Sequence, residues 1–488
     1  MEYWISLGRD ASFVAALSLW LASCAPHDSP SSAAPSASLS YTVRIPAMHE
    51  DSVSVALVAD NPGKSGMRFL LPFVYSDNPV DSLAGPLVRG LVITDSTGAE
   101  ITVDTSGRMV GPSRTQELTI PSGAAFPVTI SYRVDLDVIF SDSVNGPLSL
   151  VFLNGQSGFL PGSHLFMVPA EPSLADIWRT PRTITLSLDL GKTVSAVGVP
   201  GNNQIYRNAY ELLFVQIALG PELLAQGSGG GQSFAMYGLD NDGQSSAGRL
   251  AQARESFSVI LDNLVPVWGL LAHDTYPVVY HRTAGGREGA HSFILKYPHQ
   301  DHDSTLSMVL AHEAIHHVLG VRAGDWDDPW WKEGTTYYLG FTVTSRLGLI
   351  PKTKVRELFT RQQIFNETEK ALAPSDAYVR CHLYTGRLYN VVYHKGSQIA
   401  MLMDYLVRRA TGNSVSLDKA TASLCARYDG SAFTRNQFIK HFRTYNGCDI
   451  SPILKRFADR PGNIPDAILT DVFSKLDTLG AFGDIHQL

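Results

Sequence analysis

The stretch TLSMVLAHEAIHHVLG (Thr305–Gly320) contains His312-Glu313-Ala314-Ile315-His316. Residues four apart share one face of a helix, so His312 and His316 point the same way. Two imidazoles at that spacing can share one tetrahedral metal ion, and Glu313, one position round, can reach a water beside it. No proline interrupts the stretch, Ser304 is available as N-cap and Gly320 can close the C-terminus. Leu306, Met308, Val309, Leu310, Ala311, Ile315, Val318 and Leu319 are apolar nearly all round, so the spacing predicts a buried helix. Two histidines and a carboxylate in such a helix need partners, because unpaired polar groups are costly in an apolar interior.

The nearest source of a third ligand is PWWKEGTTYY (329–338), whose Glu333 lies seventeen residues beyond His316. A second helix there can fold back against the first and bring Glu333 to the same ion. Two His, one Glu and an open fourth position form a catalytic type of zinc site. Asp325, Asp327 and Asp328 are rival ligands in a turn-like segment.

The 488 residues suffice for several domains, and 44% hydrophobic content is ordinary for a globular chain. With a net charge of −7 and no long Lys/Arg run, nucleic acid is not an expected partner. Residues 12–23, SFVAALSLWLAS, follow Arg9 as a short apolar segment of signal-peptide type and end at Cys24. Leu21-Ala22-Ser23-Cys24 resembles a bacterial lipobox, which implies lipidation at Cys24 and attachment to the membrane through that anchor only. The expected location is an exported lipoprotein of the outer membrane, facing the periplasm or the cell surface.

The expected architecture is multidomain. A signal peptide (1–23) and a Ser/Ala/Pro-rich linker (24–39) precede an antiparallel β-sandwich (40–225). An α+β catalytic domain (232–350) and a helical domain (351–488) follow. Strands are expected at 52–60, 87–95, 126–136, 149–155, 182–190, 276–281 and 291–297. Helices are expected at 249–265, 330–348, 353–364, 396–411, 416–428 and 434–446. The glycine-rich QGSGGGQ (226–232) is expected as a surface loop or domain junction, since no Lys-Ser/Thr pair follows it. Of the four cysteines, Cys425 and Cys448 are either paired or free buried thiols.

HExxH followed by W-x-x-E-G resembles the gluzincin metallopeptidases, and within them the glycyl aminopeptidase family, related to aminopeptidase N and leukotriene A4 hydrolase. Gly285-Gly286-Arg287-Glu288-Gly289-Ala290-His291-Ser292 is similar to that family's G-G-L-E-H-x-x-S strand, and Tyr393-His394-Lys395-Gly396 to its Y-x-K-G. Met403-Asp404-Tyr405 and Ser416–Lys419 are similar to its closing helical pair.

The resemblance implies a thermolysin-like catalytic domain and one Zn²⁺ held by His312, His316 and Glu333. It implies Glu313 as general base and Tyr393, with Tyr389 as second choice, as donor to the oxyanion. It also implies peptide substrates, held through Gly286 and through Glu288, whose carboxylate would take the free α-ammonium. The departures Arg287 and Gly289 motivate an alternative, a metalloendopeptidase with altered end recognition. A non-catalytic peptide-binding lipoprotein is a further alternative.

Overall fold

The N-terminal half is built on alternation. Along Leu39–Ile45 every second side chain is buried, and the same holds for Val53, Val55, Leu57 and Ala59 on the next strand. A period of two gives a sheet one apolar face, which must be covered. In the computed structural model a six-stranded sheet runs edge to edge Gln204–Tyr206, Ile184–Leu190, Leu39–Ile45, Ser52–Ala59, Val128–Asp135, Val88–Thr94. A four-stranded sheet that includes Met67–Leu70 and Ser113–Ile120 shares its apolar core. The pairing is antiparallel except between Leu39–Ile45 and Ile184–Leu190, which are parallel. The structure describes residues 38–483 apart from short stretches, the larger being 48–51, 61–65, 73–87, 137–150, 171–179, 240–246, 282–285, 297–302, 324–328, 361–368 and 376–387. The export segment, Cys24, Cys381, the Asp325–Asp328 stretch and Tyr389 lie outside the described residues.

The glycine-rich stretch is not a junction. Glu222–Gly229 and Gln232–Gly238 form a hairpin whose turn is Gly230-Gly231, both at positive φ. Gly229 and Gly230 are also required by packing, since a Cβ on either would collide with backbone at Ser258 or Leu261. The hairpin begins a five-stranded sheet that continues through Thr275–His281 and Phe293–Lys296 to the two-residue edge Arg287–Glu288. The middle pairings are parallel. A parallel pairing needs a crossover, here helix α1 (Ala247–Trp268).

Helix α2 (Asp303–His316) and helix α3 (Pro329–Arg346) pack beside each other, followed by α4 (Lys352–Thr360). After a π-helical turn at Asn390–Lys395 come α5 (Gly396–Ala410), α6 (Leu417–Arg427), α7 (Arg435–Asn446) and α8 (Asp466–Thr478). One apolar core runs from the strand residue Phe234 through α2, α3 and α5 to Phe482, so the sheet and the C-terminal helices stabilise each other. Helix α2 starts at Asp303, which places Ser304 inside the helix rather than at its cap. It ends at His316, and the chain turns sharply through 317–323 with Gly320 at φ +119. Cys425 and Cys448 are free and buried; a Cys425–Cys448 disulfide is absent. Burial pushes both thiols up, and with help from the neighbouring Asp449 carboxylate it raises Cys448 to about 11.

Candidate active site

His312, His316 and Glu333 converge where α2 meets α3, and all three are buried. The His316 and His312 Nε2 atoms are 2.9 Å apart. Glu333 Oε2 lies 3.1 Å from His316 Nε2 and 3.7 Å from His312 Nε2. These separations put the three donors on a circle of about 1.9 Å radius, close to the ~2.0–2.2 Å that zinc keeps from nitrogen and oxygen ligands. Nδ1–H of His316 donates to the Leu319 carbonyl at 3.1 Å. A carbonyl can only accept, so this bond fixes the tautomer and leaves Nε2 as a lone pair aimed inward. The sharp turn after His316 is what brings that carbonyl back under the ring. Two imidazole nitrogens and a carboxylate oxygen at such distances, in a buried site, form a donor set suited to zinc.

Glu313 is 4% exposed, and its Oε2 has no hydrogen-bond partner among the described residues. Burial, and then the nearby carboxylates Glu288 and Glu333, raise it well above the usual carboxylate range. A Cβ at Gly286 would strike Glu313 Oε1, so a side chain there would have to displace the Glu313 carboxylate. Burial also lowers His312, assisted by repulsion from His316.

Tyr393 reaches the site from the π-helical turn. Its ring lies 6.1 Å from that of His312, centroid to centroid, at an interplanar angle of 29°. Such turns widen a helix and redirect a side chain, and they are frequent at functional sites. Three contacts hold this one. Asn390 donates to the buried Glu369 carboxylate at 3.2 Å, and Lys395 Nζ donates to the Arg460 carbonyl at 2.7 Å. Gly334 faces Gly396 so closely that a Cβ at Gly334 would collide with the Gly396 backbone. The glycine after Glu333 therefore sets how near the zinc-ligand helix comes to the tyrosine.

Glu288 sits on the edge strand, where Gln216 Nε2 donates to the Glu288 and Arg287 carbonyls at 2.7 and 3.1 Å. Gln216 also explains Gly289, since a Cβ there would run into its side chain. The Glu288 carboxylate is engaged by Lys332 Nζ in a short ion pair, and Lys332 lies 3.5 Å from the outer oxygen of Glu333. Burial is the largest influence and opposes the charge on both groups, but Lys332 and His316 together leave Glu288 lowered, and Glu288, Glu333 and Glu313 together leave Lys332 raised.

Reading the sequence alone missed Lys332, Thr336 and Tyr337. Thr336 Oγ1 is 3.2 Å from His316 Nε2, and the Tyr337 ring completes a triangle with those of His312 and Tyr393, 6.4 and 5.9 Å from them. Spacing was a usable signal for the last two, which follow Glu333 by three and four residues on one helical face.

Residues 292–457 match the peptidase family M1 domain. No curated protein matches the chain in sequence. Among solved structures, the fold is similar to an aminopeptidase N family protein from Idiomarina loihiensis, at 16% identity and a TM-score of 0.62, over 89% of this chain and 78% of that one. It is also similar to an aminopeptidase A from Legionella pneumophila, at 13% identity and a TM-score of 0.58, over 87% of this chain and 49% of that one, so the chain spans about half the length of that enzyme. An M1 zinc metallopeptidase variant from Deinococcus radiodurans aligns over 88% of this chain and 96% of its own, at 12% identity and a TM-score of 0.55. The matched residues 292–457 contain both helices that carry His312, His316 and Glu333 and the tyrosine turn, so this part of the chain is similar to the peptidase family M1 domain, and the fold around it is similar to that of the aminopeptidases.

Proposed function

We propose that the protein removes N-terminal residues from peptides, with Glu313 as general base, Tyr393 as oxyanion donor and Glu288 as the amine-side anchor. One observation carries this reading. His312, His316 and Glu333 present three donors to one point, with Glu313 buried beside His312 in the chain and the Tyr393 ring 6.1 Å from that of His312.

When bound, zinc would supply Lewis acidity and bring the pKa of water in its open position toward neutrality. The residues supply the rest. Glu313 takes a proton from the attacking water, and its raised affinity for protons suits it to carry that proton to the leaving amine. Tyr393 donates its phenolic hydrogen to the oxygen that gains charge as the carbonyl becomes tetrahedral, a role in which one donor typically contributes about 2.7–4 kcal/mol. Arg287–Glu288 is the edge strand of its sheet, and sheet edges commonly pair with an extended peptide. Gly286 lets this edge lie close against the Glu313 carboxylate.

The test is Glu313→Gln in the full chain. The variant is expected to retain about one zinc per chain while losing hydrolysis of alanine p-nitroanilide; full activity would refute the role of Glu313. Tyr393→Phe is expected to lower kcat by about 10²–10³ with little change in metal content.

The proposed setting is the outer membrane, with Cys24 lipidated. Support comes from the apolar segment 12–23 and the Ser/Ala/Pro linker; no described helix is long and apolar enough to cross a membrane. Labelled palmitate incorporated by the wild type and lost in Cys24→Ser is the expected result.

A further inference from the structure

The Glu288 carboxylate that is proposed to receive the substrate's ammonium already holds one. We infer that Lys332 is a specificity-determining residue, an internal cation that occupies the amine subsite and relaxes the requirement for a free N-terminus. The substrate class extends to N-acylated peptides. The inference rests on the proposed role of Glu288 and deepens it.

Lys332 is built into this position. Its stem lies against Gly320, where any Cβ would meet the Lys332 side chain. Its ammonium stands 5.5 Å over the Phe214 ring, pairs with Glu288 and lies 3.5 Å from Glu333 Oε1. The residue is 6% exposed, so little solvent screens these charges. The other oxygen of Glu333 faces the two imidazoles. One ammonium therefore bridges the outer edge of the metal site and the carboxylate expected to measure distance from the chain end.

The consequence is a matter of charge. An unpaired Glu288 would attract a terminal ammonium strongly at a buried site. A Glu288 neutralised by Lys332 offers a shared carboxylate, and an incoming ammonium meets a like charge close by. A neutral acylated nitrogen meets no such repulsion. Discrimination between free and blocked termini is thereby reduced, because specificity is a difference between two affinities.

The experiment measures kcat/KM for alanine p-nitroanilide and its N-acetyl derivative with the zinc-loaded full chain, wild type and Lys332→Gln. Glutamine can still donate to Glu288 but carries no charge. The free-to-acetylated ratio is expected to rise about tenfold or more in the variant, mainly through KM of the free-amine substrate. Both rates come from one preparation, so any unfolded fraction cancels. Calorimetry in the Glu313→Gln background, with trialanine and N-acetyl-trialanine, should show the same shift in the ratio of Kd values. A ratio that stays constant or falls in Lys332→Gln overturns the inference. A wild type that cleaves neither substrate sinks the peptidase reading instead, and the Kd ratio then decides the role of Lys332. A strong free-amine preference that is lost in Glu288→Gln but unchanged in Lys332→Gln upholds the Glu288 reading and rejects that of Lys332.

Discussion

Replacing Asp404 by Ala should loosen the frame that holds the zinc-ligand helix. Asp404 lies in α5 and is 1% exposed. One carboxylate oxygen accepts from Arg408 Nε at 3.0 Å and from the Leu417 amide at 2.7 Å, and the other accepts from the Tyr338 hydroxyl at 2.8 Å. Tyr338 belongs to α3, five residues beyond Glu333, and Leu417 opens α6, so this carboxylate ties three helices together. Arg408 is itself buried and has a further acceptor in Asn413 at 2.9 Å. Removing one partner of a buried ion pair costs about 3–5 kcal/mol because the other charge is left uncompensated. A lost helix cap adds about 1 kcal/mol. The Asn413 contact moderates the first figure, so Asp404→Ala is expected to cost about 4 kcal/mol.

Asp404→Asn separates charge from geometry. Its amide oxygen can still accept from Leu417 and Arg408, and its NH₂ can donate to Tyr338 once the hydroxyl rotates. Only the charge is lost, and the expected cost is about 1–3 kcal/mol. The assay is urea unfolding followed by tryptophan fluorescence. Trp330 and Trp331 lie in the first turn of α3, and Trp331 packs on Phe438 of α7 with centroids 4.3 Å apart, so their emission reports docking of this helix. An alanine variant within 1 kcal/mol of wild type, or an asparagine variant as unstable as the alanine one, would refute the reasoning.

Gly334→Val should drive α3 away from the π-helical turn, because its Cβ meets the Gly396 backbone. The expected result is weaker zinc retention and a loss of activity larger than that of Gly480→Ala in a distant turn, read by metal analysis and turnover. Lys395 gives a pH signature: burial lowers it from 10.5 to about 8. Between about pH 8 and 10.5 the unfolded chain binds the proton that the folded chain has released, so stability rises with pH there by up to about 1.4 kcal/mol per unit. Lys395→Met should remove that slope in unfolding curves across the window. The free thiols of Cys425 and Cys448 should react with iodoacetamide only after denaturation, without prior reduction; labelling that needs a reductant would restore the disulfide.

The site was legible in the sequence where chemistry and short spacing coincide. HExxH fixes its own geometry, because i and i+4 on a helix leave little freedom. Glu333 was reachable because a seventeen-residue separation with a turn between two apolar helices has few compact solutions. The limits of α2 were less legible. His316 closes the helix, and its ring bonds to the Leu319 carbonyl in the turn that follows, a local contact that apolar residues running on through Leu319 conceal. The stretch around Gly230-Gly231 reads only as a surface loop or domain junction, because composition marks a turn without showing what the flanking residues pair with. The π-helical turn under Tyr393 left no periodic trace, being set by Glu369, Arg460 and Gly334 at long separations.

Lys332 is the instructive case. A lysine one residue before a metal-ligating glutamate looks like a solvated charge at the start of a helix. Nothing local says otherwise, because its partner Glu288 is 44 residues upstream on a sheet edge. The only sign in the sequence is the company it keeps, Trp330 and Trp331 on one side and no polar side chain but Glu333 within the first turn. A charge that cannot reach water must find a countercharge, and the acidic groups within reach belong to the site. The electrostatics of the proposed amine subsite thus follow from the burial of α3 as much as from any residue proposed for catalysis. Substitutions that expose this turn, such as trimming Phe214 to Ala, should alter end specificity without touching the zinc ligands.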